Sequence, residues 1–143
     1  MKLPDLNLLI YAVDQASPSH ESALRWWNGL LSGNETVGLS WSVLLGFVRL
    51  TTNPRVFRHP MSTDEALEYV ERWLAHPLTT VLEPTSRHAR LLRDLLAQTG
   101  PAGNLVPDAH LAALAIEHGA VLCSADHDFG RFPGLKWIDP FHQ

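Results

Sequence analysis

Four aspartates in this sequence occupy positions where a carboxylate can take part in hydrolysis. Each of them follows a short apolar run or opens a helical segment, and they are Asp5, Asp108, Asp126 and Asp128. Carboxylates that lie close together repel one another and raise each other's pKa unless a cation neutralises them. Mg²⁺ and Mn²⁺ are the natural counterions, because both prefer oxygen ligands and keep bound waters. Such an ion activates a water and stabilises charge on a phosphate, so the acids indicate metal-dependent hydrolysis of a phosphodiester.

Each aspartate also has a structural interpretation that needs no metal. Asp5 could cap the segment after it, and Asp108 lies in a first helical turn, where a negative charge favours the helix dipole. Asp126 and Asp128 could order a turn. Taken singly, the structural interpretations are preferred. Taken together, the acids lie at matching ends of an alternating pattern of strands and helices, and that arrangement favours a metal site.

The histidines and the cysteine give no comparable signal. The eight histidines are scattered, and none falls in a zinc-binding spacing, so a structural zinc site is not expected. His127 is interpreted as an exposed turn residue rather than a ligand. Cys123 is the only cysteine, which excludes an intrachain disulfide, and it is interpreted as a small buried hydrophobe. A reducing cytosol is the simplest setting for such a chain, so we expect a cytoplasmic protein.

Length and composition fit one folded domain, residues 1–143. The chain is 45% hydrophobic and 18% charged, which is typical of a globular protein. No apolar run approaches the roughly 20 residues of a membrane span, and Asp5 and Asn7 interrupt the N-terminal apolar segment as no signal peptide would. The net charge of −4 disfavours a protein that coats nucleic acid. It does not exclude an enzyme that holds a phosphodiester through bound cations.

Short apolar runs alternate with helical segments along the chain. We predict strands at residues 1–4, 35–39, 79–82, 120–123 and 135–138. Helices are predicted from Ser19 to a stop at Gly33, from Ser40 to before Pro54, from the Ser62–Glu65 capping box to Ala75, from Thr85 or Ser86 to a stop at Gly100, and from Asp108 to a stop at Gly119. Residues 6–13 remain either helical or extended. This alternation predicts an α/β fold with a parallel sheet, in which sites form beyond the carboxyl ends of the strands.

Several longer motifs resemble a known family. They are LPDLNLLIYAVD, SHESALRWW, LSWSVLLGFVRLTTNPRVF and DAHLAALAIEHGAVLCSADHDFGRFPGLKW, which together cover nearly the whole chain. The chain resembles the PIN-domain ribonucleases, specifically the VapC toxins of type II toxin–antitoxin systems. The resemblance implies a PIN-like three-layer fold, with a central parallel sheet flanked by helices. It also implies dependence on Mg²⁺ or Mn²⁺, endonucleolytic cleavage of RNA, a homodimer, and neutralisation by a cognate small antitoxin similar to VapB.

The resemblance also assigns roles to individual residues. It implies that Asp5, Asp108 and Asp126 bind the metal, and that Asp128 is a further acid of the same catalytic motif. Three residues are candidates for contact with substrate. Asn7 resembles a polar residue that orients the first acid, Ser124 matches a small hydroxyl position beside the site, and Arg49 suits bidentate contact with phosphate.

Gly46 departs from the family pattern. Many members carry a glutamate at this position, in the stretch that here reads SVLLGFVRL. One interpretation is a subgroup that builds its metal site from the remaining acids. A second is a catalytically weakened PIN domain that holds RNA or antitoxin without efficient cleavage. A third is that glycine allows close packing of helices. A phosphatase with Asp5 as nucleophile is disfavoured, because D-L-N lacks the second acid of such motifs.

Overall fold

The fold is built on one parallel sheet, seen here in a computed structural model that describes residues 1–99 and 105–142. Within these residues, five strands form the sheet in the order β3-β2-β1-β4-β5, and all four pairings are parallel. The strands are β1 (Lys2–Pro4), β2 (Val37–Leu39), β3 (Thr79–Val81), β4 (Val121–Cys123) and β5 (Trp137–Ile138). This confirms the predicted class of a central parallel sheet flanked by helices, although every strand is shorter than predicted, the second and fifth by two residues and the others by one.

Six α-helices accompany the strands in the described residues. They are α1 (Leu6–Val13), α2 (His20–Leu31), α3 (Trp41–Thr51), α4 (Thr63–Ala75), α5 (His88–Thr99) and α6 (Val106–His118). A short 3-10 helix, His127–Arg131, follows β4. None of the described helices combines the length and the apolar character needed to cross a membrane.

Helix α1 settles the segment that the sequence left undecided. Asp5 caps it, since the Asp5 carboxylate accepts a hydrogen bond from the Leu6 N–H at 2.7 Å. Leu8, Leu9 and Ala12 are buried, and their spacing of three and four residues defines a single helical face. The acid that ends β1 therefore also begins α1, which fixes its position between the two elements.

Most predicted helix boundaries agree with the structure to within one or two residues, although α5 begins at His88 rather than at Thr85 or Ser86, and α6 begins at Val106 rather than at Asp108. The Ser62–Glu65 capping box is present, with the Glu65 N–H donating to Ser62 Oγ at 3.1 Å. Gly119 follows the last residue of α6 with φ 63°, a left-handed conformation that glycine adopts without strain. The predicted stop at Gly100 lies outside the described residues.

Large aromatic side chains fill the core beside α3 and α4. The rings of Phe47 and Trp73 meet edge to face with centroids 4.8 Å apart, and Trp27 packs against Trp73 in the same manner. Cys123 is fully buried in β4, and burial raises the pKa of its thiol to about 12. The thiol is therefore protonated at neutral pH, as the interpretation of Cys123 as a buried hydrophobe requires.

The strand order places β1 and β4 side by side at the centre of the sheet. Successive strands run outward from β1 through β2 to β3 on one side, and from β4 to β5 on the other. Such a switch point opens a crevice beyond the carboxyl ends of the two central strands. Pro4 pairs with Cys123, so the next residues along the two strands, Asp5 and Ser124, meet at this crevice.

Candidate metal centre

Asp5 is held rigidly at the carboxyl end of β1. Its N–H donates to the Cys123 carbonyl at 2.9 Å, and its two carboxylate oxygens accept hydrogen bonds from the Leu6 N–H and from Ser124 Oγ, both at 2.7 Å. Burial raises the pKa of Asp5 above its usual value. The hydrogen bonds from Ser124 and Leu6 lower that pKa, and the negative charge of Asp126 raises it again.

The Ser124 hydroxyl connects the two central strands. Besides donating to Asp5, it accepts the Asp126 N–H at 3.0 Å and Asn7 Nδ2 at 3.5 Å. Ser124 is fully buried, so its hydroxyl is committed to these protein groups. Asn7 thus reaches Asp5 through Ser124 rather than directly. The structure gives Ser124 and Asn7 the geometry of residues that orient the acids.

Asp126 and Asp128 follow β4, where Asp126 caps the short 3-10 helix. The Asp126 carboxylate accepts the Asp128 N–H at 2.9 Å, so the structural interpretation of this acid as a turn-ordering residue holds as well. Asp128 is exposed and lies 3.5 Å from Arg131 Nη2 in an ion pair. Asp126 is therefore the more buried of the two acids, whereas Asp128 is exposed and has its own cationic partner.

Asp108 joins the group from the first turn of α6. Its pKa is raised to about 6, first by burial and then by the negative charges of Asp5, Asp126 and Asp128. The other three acids are therefore close enough in space to disfavour the ionisation of Asp108, although Asp5 is distant from it in sequence. Within the described chain, Asp5, Asp108 and Asp126 form no ion pair with a lysine, arginine or histidine.

The donor set fits a hard divalent cation with retained waters. Asn7 Oδ1 is buried and has no hydrogen-bond partner among the described residues, which leaves an oxygen acceptor without a donor beside the acids. The oxygens of the three acids do not all lie within 4.8 Å of one another. An ion that contacts fewer carboxylates directly and reaches the others through water suits this open arrangement, and Mg²⁺ binds proteins in this manner.

Arg49 lies apart from this hydrogen-bond network. It is an exposed residue in the last turn of α3, and no hydrogen bond or ion pair in residues 1–99 and 105–142 joins it to the acids. A cleft of about 840 Å³ lies elsewhere, beside the end of α1, and its lining includes Arg58 and His59 but none of the four acids. The structure therefore brings together the predicted acids, Asn7 and Ser124, while Arg49 stays a prediction.

Gly46 is buried at the contact between α1 and α3. A Cβ atom built there would lie 2.8 Å from Leu6 Cδ2, closer than side chains approach in proteins. Leu6 directly follows Asp5, so the leucine side chain occupies the space into which a residue at position 46 would point. This geometry favours the third interpretation of the glycine, in which it allows close packing of helices.

Sequence reasoning missed a second cluster of ligand-type side chains. His127 is exposed, as predicted, but its Nε2 lies 2.9 Å from Asp139 Oδ2, and His142 Nδ1 lies 2.9 Å from the same oxygen. The signal that could have revealed this cluster is the D-x-x-H spacing after the fifth strand. That spacing becomes informative only once β5 is known to pair with β4.

The amino-acid sequence matches one family over almost its full length. The profile described as "PIN domain" matches residues 2–135. The chain is 48% identical over 140 residues to Ribonuclease VapC37 of Mycobacterium tuberculosis, and the match covers 98% of this chain and 97% of that relative.

Solved structures of low sequence identity share the fold. VapC20 of Mycobacterium tuberculosis, described as a sarcin-ricin loop cleaving toxin, has a TM-score of 0.70 and 19% identity, over 95% of this chain and 99% of that chain. VapBC2 from Rickettsia felis, bound to a DNA fragment from their promoter, has a TM-score of 0.68 and 18% identity, over 96% of each chain. With the profile match and the identity to VapC37, these observations lead to one conclusion: the chain belongs to the PIN-domain family, in its VapC branch.

Proposed function

We propose that this protein is a metal-dependent endoribonuclease and the toxin of a toxin–antitoxin pair. The observation that carries the proposal is the meeting of acids from β1, α6 and the turn after β4, where the charges of Asp5, Asp126 and Asp128 help to raise the pKa of Asp108. Acids that lie this close and form no ion pair in the described chain are suited to bind a cation. The relative named Ribonuclease VapC37, 48% identical, supports RNA as the substrate.

Asp5, Asp108 and Asp126 would hold the cation, with Mg²⁺ as the first choice and Mn²⁺ as the second. When bound, the ion would supply an activated water and stabilise negative charge on the scissile phosphate. Ser124 keeps Asp5 in a fixed orientation through their 2.7 Å hydrogen bond. The neighbouring acids raise the pKa of Asp108 to about 6, so a cation that offsets their charge would favour its ionised form.

The alternative of a weakened, non-cleaving domain rests on Gly46 alone. The terminal methyl group of Leu6 packs against that glycine, which gives it a structural reason beside the catalytic one. The remaining acids, with the buried Asn7 oxygen, supply enough oxygen atoms to hold one ion that keeps several waters. We therefore retain the enzyme as the proposal.

The proposed biological setting is a cytoplasmic toxin that acts as a homodimer and is neutralised by a small antitoxin. The solved structure of VapBC2 with a DNA fragment from "their promoter" shares this fold, and it supports a protein partner for the present chain. Arg49 is proposed to contact RNA phosphates, because it is exposed and arginine binds phosphate in a bidentate manner.

The test is cleavage of total RNA by purified protein in Mg²⁺, in Mn²⁺ and in EDTA, with the new 5′ ends mapped. We expect discrete cleavage sites that need the metal and disappear in Asp5→Asn. Asp94→Asn removes an exposed acid from α5 and is the matched control, which we expect to cleave at the same sites as the unaltered protein. Cleavage that persists in EDTA, or that survives Asp5→Asn unchanged, would overturn the proposal.

A further inference from the structure

A second group of ligand-type side chains joins the turn after β4 to the residues that follow β5. His127 Nε2 and His142 Nδ1 each lie 2.9 Å from the same Asp139 oxygen, Oδ2. All three ligand atoms lie within 4.8 Å of one another. Three donors around a four-coordinate zinc ion, with bonds of about 2.0–2.1 Å, lie roughly 3.3–3.5 Å apart. The cluster therefore needs only a small expansion to admit such an ion.

The environment of Asp139 leaves one of its oxygens available to an ion. The Asp139 side chain is 6% exposed, and its Oδ1 accepts the Phe141 N–H at 2.9 Å. Its Oδ2 faces only the two imidazoles. Among the ion pairs of the described residues, Asp139 has histidine partners and no lysine or arginine. The buried Asp139 carboxylate therefore has a fixed position and supplies the negative charge of the cluster.

The two imidazoles can move to accommodate an ion. The side chains of His127 and His142 are 67% and 74% exposed, so rotation of either ring meets little resistance from the core. Their rings are perpendicular, at 90° with centroids 6.0 Å apart, so they approach Asp139 from different directions. Exposure also leaves room for a water as the fourth ligand, which completes a tetrahedral set.

We propose that His127, Asp139 and His142 form a second metal site, which takes Zn²⁺ or a similar late first-row divalent ion. Two imidazole nitrogens and one carboxylate suit such ions and not Mg²⁺, which prefers oxygen. The site is separate from the acids of the candidate centre and uses none of them. It does not depend on ribonuclease activity.

An ion here would connect two segments that are distant in sequence. His127 begins the 3-10 helix that Asp126 caps, whereas Asp139 and His142 follow β5. A bound ion would tie the end of the chain to the turn that carries Asp126. The second site therefore has a structural role, and it stabilises the position of one acid of the candidate centre.

The test is a titration of the full chain with Co²⁺ as a spectroscopic substitute for Zn²⁺, followed by calorimetry with Zn²⁺. The background is Asp5→Asn/Asp108→Asn, which removes two acids of the candidate centre and prevents binding there from masking the result. We expect one equivalent of Co²⁺, with the intense visible absorption of a tetrahedral complex. His142→Gln in this background weakens binding by about tenfold or more, because it removes a direct ligand.

A folding check and one further variant keep the test decisive. Gln at position 142 can still donate to Asp139, so His142→Gln is expected to fold, and circular dichroism checks this. His59→Gln removes an exposed histidine elsewhere and is expected to leave Co²⁺ binding unchanged. Zn²⁺ is expected to raise the Tm of the background and of His59→Gln, but not of His142→Gln. Absence of binding in the background, or equal affinity in His142→Gln, would overturn the proposal whatever the outcome for RNA cleavage.

Discussion

Asp108 in the candidate centre and Asp139 in the cluster with His127 and His142 are in opposite electrostatic states. Burial and three neighbouring acids raise the pKa of Asp108 to about 6. Burial also acts to raise the pKa of Asp139, but hydrogen bonds from His127, the Phe141 N–H and His142 outweigh it and lower that pKa. A bound cation would therefore stabilise the ionised form of Asp108, which no cationic side chain of the described residues does. The negative charge of Asp139 is already stabilised by its hydrogen bonds.

This difference predicts different ions and different consequences. The acids of the candidate centre are open and offer only oxygen, so an ion there would relieve repulsion and keep waters for chemistry. The His127–Asp139–His142 cluster is tight and offers nitrogen as well, so an ion there would displace existing hydrogen bonds. The first arrangement favours a reaction, and the second favours a fixed structure.

The largest expected effect separates the two carboxylates by activity. Asp108→Asn should reduce cleavage of RNA by about 10–100-fold or more, because it removes a carboxylate that would hold the cation either directly or through water. Asp139→Asn should reduce it far less, because Asp139 lies outside the candidate centre. Initial rates on one mapped RNA site, in saturating Mg²⁺, measure both.

Equal losses in the two variants would contradict the division of roles. They would indicate either that Asp139 acts in the reaction or that Asp108 does not. Circular dichroism of both variants is the control, since a folding defect in Asp139→Asn would lower activity without a role in the reaction.

The next effect concerns the hydroxyl that connects the central strands. Ser124→Ala removes the donor to Asp5 and the acceptor for the Asp126 N–H, so it should slow cleavage by about tenfold. It should also lower the free energy of unfolding by about 1–3 kcal/mol, because it leaves buried polar groups without partners. Urea unfolding and cleavage rates test this, with the exposed Ser86→Ala as control. A rate equal to that of the unaltered protein would show that Asp5 needs no positioning.

Much of the fold was predictable because local signals coincide with element ends. The capping box at Ser62, the left-handed Gly119 and the acid after each central strand are short-range features. Residues 6–13 were ambiguous, because an apolar run of eight residues fits a buried strand as well as a helix. The Asp5 cap and the packing of α1 on α2 and α3 decide it, and only the second of these is a tertiary effect.

The two ligand groups differ in how far sequence could predict them. Asp5 and Asp126 follow strands that the apolar pattern marks, so the rule for parallel sheets brings them to one edge. The second cluster depends on the pairing of Cys123 with Ile138, which places Asp139 beside Ser124. A two-residue strand carries too little pattern to predict its neighbour in the sheet. His127 was therefore interpreted by its exposure alone.

A smaller expected effect is a pH dependence of stability, which follows from the raised pKa of Asp108. Its pKa is raised above the usual 3.8 to about 6, so the folded state binds its proton more tightly than the unfolded state does. Its contribution to stability is present below pH 4 and is lost as pH rises through 6. Asp108→Asn should therefore gain stability over the unaltered protein between pH 4 and 7, by about 1 kcal/mol after solvent screening of a half-exposed group.

Urea unfolding in EDTA at several pH values measures this difference. Asp139→Asn should behave in the opposite way, because the lowered pKa of Asp139 gives stability that is present at neutral pH and lost as pH falls. Adding Mg²⁺ should remove the advantage of Asp108→Asn, since the ion binds the ionised carboxylate of Asp108 and therefore stabilises the unaltered protein more than the variant. A stability difference between Asp108→Asn and the unaltered protein that does not vary with pH would argue against repulsion among these acids.

The smallest expected effect concerns Gly46, the position at which many family members carry a carboxylate. Gly46→Ala gains about 1 kcal/mol of helix propensity, but its Cβ would lie 2.8 Å from Leu6 Cδ2, and overpacking costs about 1–3 kcal/mol. We expect a net loss of roughly 0.5–1 kcal/mol in the free energy of unfolding. Gly29→Ala in α2 meets no atom within 4 Å, so it should be stabilising and serves as the matched control.

Adding Leu6→Val should recover part of the loss from Gly46→Ala, because it removes the methyl group that the new Cβ contacts, and a double-mutant cycle isolates this coupling. If Gly46→Ala is instead as stabilising as Gly29→Ala, Leu6 yields freely and close packing does not explain the glycine. The absence of a carboxylate at position 46 would then need a catalytic reason, and Gly46→Glu would become the variant to assay for cleavage. Coupling to Leu6 would mean that the candidate centre is formed by Asp5, Asp108 and Asp126 because α1 and α3 leave no room for a further acid.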